Sequence, residues 1–168
     1  MVLRGWALGC DPSTSAMNCD IDDGVSAYTA TGAKLMLPYF LTLKAEVEVA
    51  KGQLDQADRD LSAALRCAVD NDIRFYEAEL HRVRGKMYSN AGRRDEAQNF
   101  LREAIRVAEG QSAASLALRA TISLASVIDG ADERKEVLGR LRRLVAALEE
   151  DPGNADLGTA NRILAAVT

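Results

Sequence analysis

The chain has few residues whose types are suited to catalysis. One candidate is its single histidine, His81. An imidazole accepts and donates protons near neutral pH, so histidine is the commonest general base. His81 stands beside Arg82 and close to Arg84, and one imidazole in that setting supports no Ser/His/Asp or Cys/His set. Carboxylate pairs such as Asp58 with Asp60 lie in charged helical segments typical of solvated surfaces. We therefore expect His81 to be structural and the chain to be no enzyme and to use no cofactor.

The three cysteines, Cys10, Cys19 and Cys67, are odd in number and scattered, so they cannot form a complete set of disulfides within the chain. None stands at a Cys-x-x-Cys or Cys/His spacing that would bind a metal. We expect Cys67 to behave as a small buried hydrophobic residue on an apolar helical stripe. Unpaired thiols are typical of the cytoplasm, which is the expected location.

Charge and hydropathy argue against two classes of partner. The formal net charge is −4, whereas a general nucleic-acid-binding domain usually presents a strongly basic face. The basic stretch from 134 to 143 is accompanied by Glu133 and Glu136 and has no interleaved aromatic residues, which is typical of a solvated outer surface. No apolar run reaches the roughly 18 to 20 residues of a membrane span. We expect neither nucleic acid nor a membrane as partner.

Side chains of the same kind recur every forty residues along the chain. Self-similarity at such a period, with small residues at fixed positions, is typical of stacked helical hairpins, because each hairpin buries its apolar face only against its neighbours. The low aromatic content of 5% suits helices that pack through alanine and leucine. The matched sets are Ala45, Gly85 and Ala125; Gly52 and Gly92; Ala57 and Ala97; Leu61, Leu101 and Leu141; and Ala64 and Ala104.

Residues 74 to 109 show the pattern of one hairpin. Leu80, Val83 and Met87 recur at spacings of three and four, which places them on one helical face. Gly92 ends that helix, since glycine readily adopts the left-handed conformation that caps a C-terminus. A second helix follows to about residue 109 and must lie antiparallel to the first, because the turn is short. Its inner face is expected to carry Ala97, Leu101, Ala104, Ile105 and Ala108.

Gly85 lies in the middle of the first helix of this hairpin. Glycine there costs about 1 kcal/mol relative to alanine, so its presence predicts that a neighbouring helix passes too close for a side chain. A phosphate-binding loop at Gly85 is disfavoured because helix-forming residues surround it.

These residues resemble the tetratricopeptide repeat family. The resemblance is good over 35–69 and 74–109 and looser over 114–150, and it rests on Gly85, Tyr88, Ala97, Leu101 and Ala104 with their counterparts Ala45, Ala57, Leu61 and Ala64. The forty-residue unit is longer than the family's usual length of about 34. Leu41, His81 and Thr121 stand where the family has a large aromatic residue. The resemblance implies an all-α fold of antiparallel helical hairpins stacked as a right-handed superhelix, or solenoid.

Three regions follow from this resemblance. Residues 1–33 are expected to form a degenerate first repeat that is partly irregular, because 10–24 is rich in Pro, Ser, Asn and Asp. Residues 34–150 are expected to form three hairpins, and 151–168 a turn and a C-terminal capping helix with Asn154 or Asp156 at its N-cap. An alternative for the first region is a metal loop of Asp11, Asp20, Asp22 and Asp23, although their spacing does not fit a calcium loop.

A more particular resemblance lies in the strings GWAL, YTATGAKLMLPYFLTLKAE and RFYEAELHRVRGKM. They are similar to the C-terminal repeat region of bacterial adenylate and guanylate cyclase-type signalling proteins. The chain contains no GxxxxGK[ST] stretch, so the resemblance implies a context in signalling rather than an activity.

Function is then expected in a groove lined by the first helix of each hairpin, with a protein or peptide of unknown identity as partner. Arg82, Lys86 and Arg119 would attract an acidic peptide, whereas solvated pairing of these cations with Glu46 and Glu79 is the alternative. Thr42 and Glu46 stand where some relatives begin a carboxylate clamp, so binding of a chaperone tail is disfavoured. The predicted groove residues are Tyr39, Thr42, Glu46, Glu79, Arg82, Lys86, Ser89, Arg119, Ile122 and Ser126.

The alternative is a self-associating structural fragment of a larger cyclase-like signalling protein. In that interpretation the poorly formed first repeat leaves an apolar surface that pairs with a second copy, giving a homodimer.

Overall fold

The computed structural model describes residues 1–9, 18–148 and 154–166. Within these ranges the regular structure is entirely helical and no residue lies in a strand, which confirms the predicted all-α class. None of the described helices is both long and apolar enough to cross a bilayer. The helices are α1 Val2–Gly9, α2 Asn18–Ala30, α3 Leu37–Ala50, α4 Leu54–Asp70, α5 Glu77–Asn90, α6 Arg94–Gly110, α7 Ala114–Ala125, α8 Ala131–Leu148 and α9 Ala155–Ala165, with a 3-10 turn Arg74–Tyr76 before α5.

The chain divides into two compact units, Met1–Val83 and Arg84–Thr168. In the first unit, α1 packs against α2 and α3, and α3 packs against α4. The core of α1, α2 and α3 consists of Val2, Ile21, Leu43 and Val47, all less than a tenth exposed. Partly buried side chains close its edge, and they are Trp6, Val25, Tyr39 and Phe40.

In the second unit, α7 packs against α6, α8 and α9. The predicted inner face of α6 is confirmed, because Ala97, Leu101, Ala104, Ile105 and Ala108 are all buried. A second apolar cluster joins α7, α8 and α9 through Leu118, Leu141, Val145 and Ala160. The amide of Asp156 donates to the Asn154 side chain at 3.0 Å, so Asn154 is the N-cap of α9.

The predicted close approach at Gly85 is confirmed. A Cβ atom built on Gly85 would lie 2.6 Å from Leu101 Cγ and 3.1 Å from the backbone oxygen of Ala97. Both distances are well below carbon contact distances, so α5 and α6 meet here without room for a methyl group.

Left-handed turns follow the helices at regular intervals. Gly52 and Gly92 have φ of 75° and 73°, which confirms that Gly92 ends α5. Asp72 and Ser112 take the same conformation, each with φ of 54°. Each turn is closed by an amide that donates to the carbonyl five residues earlier, the geometry of a Schellman motif. The four donors are Gln53, Ile73, Arg93 and Ala113, and they lie twenty residues apart.

Two expectations need correction. Helix α2 begins at Asn18, so the part of the predicted irregular stretch from residue 18 onward is helical. Packing favours this helix, because Ile21 is buried in the core and the partly buried Val25 lies against it. Cys67 is only partly buried, since its neighbours Ala64 and Ala68 occupy the inward face of α4. Residues 10–17 and 151–153 lie outside the described residues.

A charge cluster joins α2, α3 and α4. Lys44 Nζ lies 3.0 Å from Asp22 Oδ1, 3.0 Å from Asp60 Oδ2 and 3.7 Å from Glu48 Oε1. Burial alone would lower the pKa of Lys44, but hydrogen bonds to Asp60 and Asp22 raise that pKa above its usual range. Burial, together with the charge of Asp60, raises the pKa of Glu48 to about 7.

The Glu48 carboxyl should make stability depend on pH. Its pKa rises from an ordinary value of 4.5 to about 7 on folding, so between these pH values the folded state holds one proton more than the unfolded state. This contribution is present below pH 4.5 and is lost as pH rises to about 7, a loss on the order of 3 kcal/mol for a shift of this size. Urea midpoints measured at pH 5, 6 and 7 should fall accordingly. Glu48→Gln should make the urea midpoint depend less on pH between 5 and 7. The same pH dependence in the variant and the wild-type protein would contradict a raised pKa at Glu48.

Candidate functional site

The ten predicted groove residues are divided between the two units. The first unit holds Tyr39, Thr42, Glu46, Glu79 and Arg82, and the second holds Lys86, Ser89, Arg119, Ile122 and Ser126.

Three residues predicted to be exposed in the groove are buried instead. Thr42 is 1% exposed, and its hydroxyl donates to the Pro38 carbonyl at 2.8 Å. Glu79 is 4% exposed and Arg82 is 8% exposed. Helical phase gives the direction of a side chain around one helix, but it does not say what packs on that side, and this is why the exposure of all three was predicted wrongly.

Arg82 is hydrogen-bonded to Glu79 and lies close to Glu46, both in its own unit. Its Nε and Nη2 atoms donate to the two oxygens of Glu79 at 2.8 and 2.6 Å, the forked geometry of the strongest arginine–carboxylate pairs. Its Nη2 also lies 4.0 Å from Glu46 Oε1. The structure thus brings together Arg82, Glu79 and Glu46, and the pairing occupies the cation that was predicted to attract an acidic peptide.

Glu46 is the most accessible carboxylate of this group, with 28% of its side chain exposed. Its Oε2 atom accepts a hydrogen bond from the indole nitrogen of Trp6 at 2.8 Å. Because α1 and α3 also share an apolar core, this bond fixes the position of the carboxylate against Trp6.

Two tyrosines lie beside these charges. The rings of Tyr39 and Tyr76 are 5.1 Å apart and nearly perpendicular, which is a favourable edge-to-face contact. Burial raises the pKa of Tyr76, and the carboxylates of Glu79 and Glu46 raise it further. Both rings are only partly buried. We call the group the Glu46 cluster, and it consists of Trp6, Tyr39, Glu46, Tyr76, Glu79 and Arg82.

The Glu46 cluster lies in an acidic setting. The cluster itself carries two carboxylates and one guanidinium, a formal charge of −1. The first unit as a whole contains 8 Lys and Arg residues and 13 Asp and Glu residues, which gives a formal charge of −5. Since the whole chain has a charge of −4, the negative charge is concentrated in this unit.

Sequence reasoning missed two members of the cluster, Trp6 and Tyr76. Trp6 stands forty residues before Glu46, so the repeat period extended backwards from the predicted groove would have found it. Tyr76 belongs to the 3-10 turn that precedes α5, and no helical periodicity indicated its position.

The groove residues of the second unit do not form a comparable cluster. Lys86 and Ser126 are exposed, whereas Ser89 and Ile122 are partly buried. Ile122 packs against the apolar cluster of α7, α8 and α9. Arg119 Nε donates to Asp156 Oδ2 at 3.0 Å, so this predicted cation has an acidic partner on α9.

A surface pocket of about 320 Å³ lies between α6, α7 and α8 of the second unit. Its walls carry three arginines and three glutamates, and Arg102 pairs with Glu133 across it at 3.2 Å. Because the opposite charges are equal in number, the pocket indicates no preference for a charged ligand.

His81 and the aspartates of the proposed metal loop are the other candidate side chains from the sequence. His81 is 9% exposed, which agrees with a packed structural histidine. In the proposed metal loop, Asp22 is paired with Lys44 at 3.0 Å and Asp23 is exposed. Asp11 and the side chain of Asp20 lie outside the part of the chain that the structure describes.

No protein-family model matches the chain. The chain is 28% identical over 125 residues to an uncharacterised protein of Rhizobium meliloti strain 1021. The match covers 74% of this chain but 12% of that protein, so the chain corresponds to a short part of a much longer polypeptide.

Proposed function

We propose that the chain is a non-catalytic peptide-binding module of the tetratricopeptide type. In this proposal its antiparallel hairpins stack as a right-handed superhelix in the cytoplasm. The module regulates or scaffolds a bacterial signalling protein related to the nucleotide cyclases. The similarity to a small part of a long protein supports a role as one module among others.

The observation that carries the proposal is the hydrogen bond from Trp6 to Glu46. These residues occupy equivalent positions, one forty-residue period apart, and they touch each other within the first unit. Direct contact between equivalent positions is typical of repeats that stack on one another. The turns at twenty-residue intervals also support a repeat, because they give successive helices the same local termination.

A randomised library of displayed dodecapeptides tests this function. The immobilised chain should enrich a set of related peptides, and synthetic copies should bind it saturably in solution. The same library passed over the chain after thermal unfolding provides the control. Failure to enrich any peptide on the folded chain would contradict the proposed function.

The alternative proposal is self-association through the first unit. It is favoured by the exposure of Met1 and Leu3, which are 72% and 56% exposed next to the core of α1. Light scattering over a range of concentrations separates the two: a peptide-binding monomer keeps a constant mass, whereas a self-associating chain approaches twice that mass.

A further inference from the structure

We propose that the Glu46 cluster binds the cationic side chain of an arginine or lysine in the partner peptide. This inference rests on the proposed function and reverses the charge expected of the ligand from the sequence.

The accessible charge of the cluster is negative. Arg82 is buried and its guanidinium is forked onto Glu79, so it presents little positive charge to a ligand. Glu46 remains partly exposed, and its Oε1 atom is 4.0 Å from Arg82, beyond hydrogen-bond distance. That oxygen can therefore accept a charge-assisted hydrogen bond from an incoming ammonium or guanidinium group.

The neighbouring rings favour the same class of ligand. A cation placed over the face of tryptophan or tyrosine is attracted by the negative charge of the ring face. The indole N–H of Trp6 donates to Glu46, and the Trp6 side chain is partly buried. The rings of Tyr39 and Tyr76 contact each other edge to face. The Glu46 carboxylate is hydrogen-bonded to the Trp6 indole and acts electrostatically on Tyr76, whose ring packs on Tyr39. This arrangement would bind both the charge and the aliphatic stem of a lysine or arginine.

Long-range electrostatics act in the same direction. The first unit carries a formal charge of −5, so a basic peptide is attracted to it and an acidic peptide is repelled. This attraction falls with added salt, whereas the contact with a partly buried carboxylate is screened less.

The test uses dodecapeptides selected on the wild-type chain. We expect arginine or lysine at one position of the selected set, and replacement of that residue by neutral citrulline or glutamine should weaken binding about tenfold. Glu46→Gln should cause a similar loss for the cationic peptide and little loss for its neutral analogue. The amide oxygen of the substituted side chain can still accept from Trp6, so the variant keeps that hydrogen bond.

Glu136→Gln is the matched control, since it removes one exposed glutamate from α8 in the second unit. It should leave the affinity within about twofold of the wild-type value. Selected peptides without a cationic position, or equal losses with Glu46→Gln and Glu136→Gln, would overturn this inference while leaving peptide binding intact. Failure to select any peptide would instead contradict the proposed function itself.

Discussion

Arg82→Glu is expected to lower the free energy of unfolding by about 3–5 kcal/mol, the usual cost of removing one partner from a buried ion pair. The substitution would leave Glu79, which is 4% exposed, beside a second carboxylate, with Glu46 close by. Neither acid could then be neutralised without binding a proton. Chemical denaturation followed by helical circular dichroism at pH 7 measures the loss.

Lys86→Glu provides the control, because Lys86 lies on the same helix four residues further on and is exposed. It should change stability by no more than about 0.5 kcal/mol. The sequence alone predicts that both residues are exposed and that reversing both charges leaves the melting temperature nearly unchanged. Equal and small effects of the two substitutions would support that earlier expectation and contradict the buried ion pair.

Gly85→Leu is expected to destabilise the protein by about 1–3 kcal/mol through overpacking. The added Cβ would lie 2.6 Å from Leu101 Cγ, and the rest of the side chain would need space that α6 already occupies. Leucine is more favourable than glycine in a helix by up to about 1 kcal/mol, so a net loss of stability shows that the steric cost of the added side chain is larger. The melting midpoint and the urea midpoint both report it.

An alanine pair separates the steric and propensity effects. Gly85→Ala should destabilise, because even a methyl group contacts Leu101 too closely. Gly139→Ala should stabilise by up to about 1 kcal/mol, since its added Cβ would meet only the flexible end of Arg143, with Nη1 at 3.8 Å. Similar changes at the two glycines would rule out a close contact at Gly85.

Much of the helical structure could be predicted from the sequence, because the signals that specify it are local. Apolar spacing of three and four gave the inner face of α6, and Gly92 gave the end of α5. The lack of a side chain at Gly85, in the middle of a helix, also predicted a close helix contact before any neighbour was known. The helix that begins at Asn18 was harder to predict, since its buried face consists of few residues among many turn formers.

The candidate site was less predictable because burial depends on more than one helix. Helical phase placed Glu79 and Arg82 on an expected binding face, but the pairing between them could only be inferred as an alternative. The contribution of Trp6 depends on a contact forty residues away in sequence, and the geometry of Tyr76 depends on a short 3-10 turn. These long-range relations, together with the burial of Arg82, are the basis on which we propose a cationic ligand in place of the acidic one predicted from the sequence.

The even spacing of the left-handed turns has a consequence for changes in chain length. Each turn is closed by hydrogen bonds that span no more than five residues, so the bonds that close it are local to the turn. In the proposed repeat, an insertion or deletion of forty residues between equivalent turns would keep both the spacing of the turns and the alternation of the first and second helices of the hairpins. A change of twenty residues would keep the spacing of the turns, but it would place the second helix of a hairpin where a first helix is expected. In the proposed stack of hairpins, gain or loss of whole pairs of helices is then the length change that disrupts the buried faces least.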